Sequence, residues 1–207
     1  RRITLEYYKN GVLHHLAPMS LMAAAIRSQR DAFHDGAVVA HDSEEADEIF
    51  RLFAEQVFLL RYEFTLNPET DIVALKDAAI AALQAYGAIT NDASGMGLLD
   101  KKAVIELAEL TRNLLESTIL TLRGARAMRT RDLNSQTMAT ALQELGAQLI
   151  NVDDLKRPEA LSIVNLKNAI RSFKDEGILS FRTDGNGLEL DDAAIDEHAA
   201  DLDRLLA

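Results

Sequence analysis

Two residues near the end of the chain have the types and spacing for general acid–base chemistry. His198 precedes Asp203 by five positions. A histidine whose tautomer and orientation are fixed by a carboxylate can remove a proton from a hydroxyl group. The chain has five histidines and many aspartates, so one such spacing is easily met by chance. We therefore predict that this pair is not catalytic.

The opening segment carries a second set of polar side chains. Tyr7, Asn10 and His14 are three and four positions apart, so a helix would place them on one face. Such a face could touch a substrate, line an interface with another domain, or satisfy its own hydrogen bonds within the fold. We predict an interdomain interface that also includes Tyr8 and Lys9.

Five arginines form a basic island in an otherwise acidic chain: Arg112, Arg123, Arg126, Arg129 and Arg131. In one interpretation they bind an anion, which could be a phosphate, an acidic partner protein or anionic lipid headgroups. In the other they complement the dipole at the C-terminal end of a helix and are solvated. We favour the second interpretation. The first, in which the five arginines form an anion-binding site that we call the anion dock, remains open.

The overall charge excludes some classes of partner. Lys and Arg number 22 against 33 Asp and Glu, which gives a formal net charge of −11. This balance disfavours binding to nucleic acid and broad electrostatic docking on an anionic membrane. The absence of cysteine excludes disulfides and thiolate metal sites. No histidine pair has a carboxylate at ligand spacing, so we predict no metal site.

Two Gly-x-Gly sequences resemble phosphate-binding loops only superficially. Gly95-Met96-Gly97 and Gly185-Asn186-Gly187 lack the lysine or the third glycine that such loops need. We interpret both as hairpin turns and expect no nucleotide cofactor.

Apolar periodicity predicts a mainly helical chain. Apolar residues make up 48% of the sequence, tryptophan is absent and there are only three prolines. No stretch reaches the roughly 18 uncharged apolar residues that a transmembrane helix requires. The predicted helices cover residues 3–17, 18–29, 43–64, 70–86, 101–123, 132–147, 158–175 and 191–206, and 29–41 is predicted to be a loop.

Two short segments interrupt the helical pattern and resemble each other when the second is shifted back by 90 residues. In each, an apolar-faced helix ends at a glycine, Gly87 or Gly177, and a strand, a Gly-x-Gly turn and a second strand follow. The pattern is typical of a small helix–hairpin, winged-helix-like unit that occurs twice. Duplication and convergence both remain open. We predict one region, 1–207, with possible subunits 1–100 and 101–207.

The motifs resemble a known family in order and spacing. Tyr8-Lys9-Asn10 followed by His14 resembles the segment that comes after the acyltransferase domain in glycerol-3-phosphate acyltransferases and the related dihydroxyacetone-phosphate acyltransferases. Further motifs of that family match residues 49–61, 116–122, 137–149 and 173–179, so the resemblance covers roughly 3–182. Lys9 stands where arginine is commoner, and Ile178 where tyrosine is frequent.

The resemblance implies that the chain is the C-terminal, non-catalytic part of a glycerol-3-phosphate acyltransferase. Such an enzyme moves an acyl chain from acyl-CoA or acyl-carrier protein to glycerol 3-phosphate in the first step of phospholipid synthesis. The family's catalytic His-x-x-x-x-Asp and its phosphate-binding motifs are not found at matching positions, and the chain starts at Arg1 without methionine. We therefore expect an inactive piece of a longer enzyme.

The expected partners follow from the same resemblance. They are the upstream catalytic domain of the same chain, a membrane surface and acyl-carrier protein, for which the arginine island is a possible dock, with no cofactor and no nucleic acid. The expected location is the cytoplasmic side of a membrane, peripheral or anchored by parts outside this piece.

Two alternatives differ in class. One is a regulatory binding module built from two winged-helix-like units. It would need outward Arg or Lys on the second helix of each unit, and the first unit offers only Lys76. The other is a helical protein-interaction scaffold unrelated to lipids.

Overall fold

The computed structural model describes residues 16–29, 34, 36–64, 71–150, 155–182 and 187–207. Helices account for most of these residues and the strands are few and short, so the mainly helical prediction is confirmed. The predicted interface residues between 7 and 14 lie outside the described ranges. Whether the helix–hairpin units are winged helices stays a prediction.

The chain divides into two compact units. The first contains the described residues from 16 to Val57 and from 71 to Thr111. The second contains 58–64 and the described residues from Arg112 to Ala207. The suggested subunits 1–100 and 101–207 stay a prediction.

The first unit combines four helices with a three-stranded antiparallel sheet, in which the third strand along the chain lies between the first and the second. Asp71 caps the helix Ile72–Tyr86, because its carboxylate accepts the backbone N–H groups of Val73 and Ala74. The elements are α1 (16–27), β1 (Val38–Val39), α2 (Glu44–Leu59, whose last two residues belong to the second unit), α3 (Ile72–Tyr86), β2 (Ile89–Asp92), β3 (Gly95–Leu98) and α4 (Lys101–Ala108).

Apolar side chains from α1, α2, α3, α4 and β2 contribute to the core of this unit. Those with almost no exposed surface include Leu21, Met22, Leu52, Phe53 and Leu83. The helical spacing of these residues predicts that they share a buried face. Burying each such side chain stabilises the folded state by about 1.5–3 kcal/mol.

The second unit has four α-helices, a 3₁₀ turn and a two-stranded hairpin. Its core includes Leu115, Leu120, Met138 and Phe173. The elements are α5 (Arg112–Ala127), α6 (Ser135–Ile150), the 3₁₀ turn (Pro158–Leu161), α7 (Ile163–Asp175), β4 (Leu179–Phe181), β5 (Leu188–Leu190) and α8 (Asp192–Leu206).

In both units a further backbone segment is hydrogen-bonded to the hairpin: residues next to β1 in the first, and the turn after residue 127 in the second. In the first, the Leu98 N–H donates to the Ala37 carbonyl at 2.9 Å, next to β1. In the second, the Leu188 N–H donates to the Arg129 carbonyl at 2.8 Å. The two units therefore share an order of elements that extends beyond the helix–glycine–hairpin pattern read from the sequence.

Three predicted boundaries are wrong. The single helix expected over 101–123 is broken between α4 and α5, where the buried Thr111 hydroxyl lies 2.8 Å from the Ser20 hydroxyl. The loop expected over 29–41 contains β1, and the helix expected over 158–175 begins with the 3₁₀ turn at Pro158.

No helix in the described ranges has the length and apolar character needed to cross a membrane.

Candidate functional site

The structure does not bring His198 and Asp203 together. Both lie on α8, and five residues at about 100° each place their side chains roughly 140° apart around the helix. The His198 ring packs toward Phe173 with 6.5 Å between ring centroids. Both carboxylate oxygens of Asp203 accept from Arg123 at 2.7 Å. Asp203 is thus turned away from the imidazole that it would have to orient.

Three arginines of the basic island pair with carboxylates on α8. All three pairs lie within the second unit and are largely exposed. The shortest distances are 2.7 Å for Arg123–Asp203, 2.7 Å for Arg126–Asp196 and 2.6 Å for Arg129–Asp192.

These pairs change the acid–base behaviour of the groups involved. The hydrogen bond from Arg129 lowers the pKa of Asp192 below its ordinary value, and the charge of Arg126 acts in the same direction. The hydrogen bond to Asp196 raises the pKa of Arg126 above its ordinary value. The three arginines therefore already have anionic partners within the chain. Arg131 is exposed, and the proposed anion dock stays a prediction.

Arg112, the fifth arginine of the island, belongs to a buried network. Its guanidinium lies 2.9 Å from Glu116 and donates to the Leu206 carbonyl at 2.8 Å. Glu116 also accepts the backbone N–H groups of Lys156 and Arg157 at 3.3 and 2.8 Å. Each charge is paired and hydrogen-bonded, as buried ions require. The network joins α5 to the segment before α7 and to the end of α8.

The first unit contains a cleft of about 140 Å³ that the sequence did not predict. Its lining includes Phe50, Met96, His41, Asn91 and Lys76. The Lys76 ammonium lies 4.9 Å from the centre of the Phe50 ring, and His41 Nε2 is 2.8 Å from the Asp92 carbonyl. The cleft is mixed in character and has room for only a few water-sized groups.

An uncompensated basic face lies on α7. Lys167, Arg171 and Lys174 are exposed, and none of the described carboxylates forms an ion pair with them. Arg171 stacks at 4.0 Å on the Tyr62 ring, and Lys174 lies 5.4 Å from the Phe181 ring. The sequence analysis did not single out these residues. Their three- and four-residue spacing on one predicted helix was the available signal.

A half-buried carboxyl group lies against the same helix. Burial raises the pKa of Glu63 above its ordinary value, although a hydrogen bond with Asn168 of α7 acts in the opposite direction. Its neighbour Tyr62 donates a hydrogen bond to Asp175, and Arg61 pairs with Glu176 at 2.9 Å. The turn after α2 is therefore attached to α7 through polar contacts.

Comparison with known proteins identifies one family. The family described as the glycerol-3-phosphate acyltransferase C-terminal region matches residues 1–182. No curated protein matches the chain.

Proposed function

Because the chain belongs to the glycerol-3-phosphate acyltransferase C-terminal region family, we propose that it is the non-catalytic C-terminal part of such an enzyme. The whole enzyme would transfer an acyl chain from acyl-CoA or acyl-carrier protein to the 1-hydroxyl of glycerol 3-phosphate, the first step of phospholipid synthesis. The observation that carries this proposal is the family match over residues 1–182.

The chemistry of acyl transfer supports a non-catalytic role. The attacking hydroxyl needs a base within hydrogen-bonding reach and a group that orients that base. His198 and Asp203 have the right types but point to different sides of α8. The buried Arg112–Glu116 network satisfies its own charges and has the character of a structural element. We assign the catalytic base to the upstream domain.

The proposed partner of the chain is that upstream catalytic domain. Tyr7, Tyr8, Lys9, Asn10 and His14 would make the interface, because aromatic side chains supply large contact area at low entropic cost. Acyl-carrier protein and a membrane surface are proposed as partners of the whole enzyme, on the cytoplasmic side. The chain itself would need no cofactor.

Complementation tests this proposal. The complete gene product, expressed in cells that lack glycerol-3-phosphate acyltransferase, should restore growth and incorporation of labelled glycerol 3-phosphate into lipid. Tyr8→Ala or Asn10→Ala should lower that incorporation, whereas Glu45→Ala on an exposed turn of α2 should not. Failure of the complete protein to complement, despite normal expression, would remove the enzyme assignment.

A further inference from the structure

We propose that the exposed face of α7 docks the second unit on an anionic lipid surface. We call this face the α7 surface and define it as Val164, Lys167, Arg171 and Lys174 together with Phe58. The inference rests on the proposed function, because it names the part of the chain that would contact the membrane.

The four α7 residues of this surface lie on one side of the helix. At about 100° per residue, positions 164, 167, 171 and 174 fall within an arc of roughly 80°. Val164 is 63% exposed, and the three cations that follow it are exposed as well. Asp175 lies about 20° beyond this arc, and it accepts a hydrogen bond from Tyr62 and lies 3.8 Å from Arg61.

Aromatic side chains support and extend this surface. Arg171 stacks on Tyr62, and Arg61 lies between the Tyr62 and Phe58 rings, at 5.1 and 4.3 Å from their centres. Phe58 remains 40% exposed. The stacking holds the Arg171 guanidinium without neutralising its charge, whereas Arg61 also forms an ion pair with Glu176.

The combination of cations and exposed apolar side chains favours a lipid interface. Lysine and arginine can extend to headgroup phosphates while their apolar stems and neighbouring aromatic rings enter the boundary region. Nucleic acid fits less well, because duplex binding is commonly built on about 6–10 phosphate contacts, and this surface has three cations next to apolar groups. We therefore assign the surface to lipid.

The net charge of −11 does not prevent short-range docking. Charges separated by more than about 8 Å are largely screened at physiological ionic strength, so the local cations dominate once the surfaces meet. Each cation close to an anionic membrane strengthens binding by about fivefold. The other arginine cluster is a weaker candidate, because Arg123, Arg126 and Arg129 already pair with α8.

Vesicle sedimentation with the full 207-residue chain tests the proposal. The chain should bind vesicles of phosphatidylglycerol and phosphatidylcholine, and bind pure phosphatidylcholine much more weakly. The double variant Lys167→Glu/Lys174→Glu should weaken binding at least about 30-fold. It leaves the Arg171–Tyr62 stack intact.

A matched control separates local from global charge. Lys101→Glu/Lys102→Glu changes the net charge by the same amount at two exposed positions that belong neither to the α7 surface nor to the arginine island, and should change binding by less than about threefold. Phe58→Ala should weaken the binding that persists in raised salt, because it removes an apolar contact.

Three results would overturn the proposal. They are no binding to the anionic vesicles, equal losses in the two double variants, and duplex DNA that binds the chain and displaces the vesicles. Sedimentation measures binding without acyl transfer, so failed complementation with intact vesicle binding would refute only the enzyme assignment. Intact complementation with no vesicle binding would refute only the α7 surface.

Discussion

Gly87 and Gly177 occupy equivalent positions in the two helix–hairpin turns. Their φ angles are 80° and 74°, in the left-handed region that side chains with a Cβ rarely adopt. The Gly87 N–H donates to the Gln84 carbonyl at 2.9 Å, and the Gly177 N–H donates to the Lys174 carbonyl at 3.0 Å. The amide of the following residue donates to the carbonyl one position further back in both turns, which is that of Leu83 or Phe173. This bonding terminates each helix.

The backbone conformation at these glycines predicts the cost of replacing them. A Cβ at either position meets no atom within 4 Å, so the penalty comes from φ and not from a clash. Gly87→Val and Gly177→Val should each lower the free energy of unfolding by about 1–2 kcal/mol in denaturant titrations. Gly87→Asn should cost clearly less, because asparagine tolerates this region. Equal stability of the Val variants and the parent chain would refute the cap assignment.

Much of this fold was predictable because its signals are local. Asp71 before α3 and the glycine after it mark both ends of that helix in the sequence, and the observed bounds agree. No glycine or proline marks the break between α4 and α5 in the sequence. It coincides with a hydrogen bond between Ser20 and Thr111, which are 91 residues apart, and a long-range contact of this kind leaves no periodic pattern.

The buried ion pair between Arg112 and Glu116 should be the most sensitive charged contact that we describe. Arg112→Met should lower the free energy of unfolding by about 3–5 kcal/mol, because it leaves a buried carboxylate without its counter-charge. In chemical denaturation, Arg112→Met/Glu116→Gln should be more stable than Arg112→Met alone. Gln keeps an acceptor for the Arg157 N–H and removes the unpaired charge. A double variant less stable than the single one would contradict this assignment.

Breaking the exposed ion pairs between α5 and α8 should change carboxyl pKa values more clearly than it changes the free energy of unfolding. Arg129→Gln should return the pKa of Asp192 toward its ordinary value, because the guanidinium hydrogen bond is the largest cause of the lowered pKa. In the parent chain, the lowered pKa favours the folded state above the ordinary carboxyl pKa, and this contribution is lost as the pH falls through the folded-state value. Side-chain carboxyl NMR through an acid titration measures the shift. An unchanged Asp192 pKa in Arg129→Gln would refute the pairing.

Glu63 should have the opposite pH dependence. Its raised pKa means that the folded state binds a proton more readily than the unfolded state, so this group destabilises the fold as the pH rises through the folded-state pKa. Glu63→Gln should therefore raise the melting temperature at neutral pH and have little effect in acid well below the ordinary carboxyl pKa. Glu45→Gln, on an exposed turn, is the matched control. A stabilisation that persists unchanged in acid would contradict the desolvation argument.

The candidate site was less predictable than the fold. The arginine island is visible in the sequence as a cluster, but its carboxylate partners on α8 lie 63–80 residues further on. The α7 surface depends on Tyr62 meeting Arg171, a pairing that the tertiary structure creates and local spacing does not encode. His198 and Asp203 are the opposite case. Their sequence spacing is typical of a catalytic pair, but in the structure His198 packs toward Phe173 and Asp203 pairs with Arg123.

The most direct test of the central claim is an acyl-transfer assay on the purified 207-residue chain, with labelled glycerol 3-phosphate and both acyl-CoA and acyl-carrier-protein donors. We expect no product above the no-protein control, and no difference between the parent chain and His198→Ala. The complete gene product, assayed in parallel, should acylate the labelled glycerol 3-phosphate. Product formation by the isolated chain that disappears in His198→Ala would contradict the account and make His198 a catalytic residue.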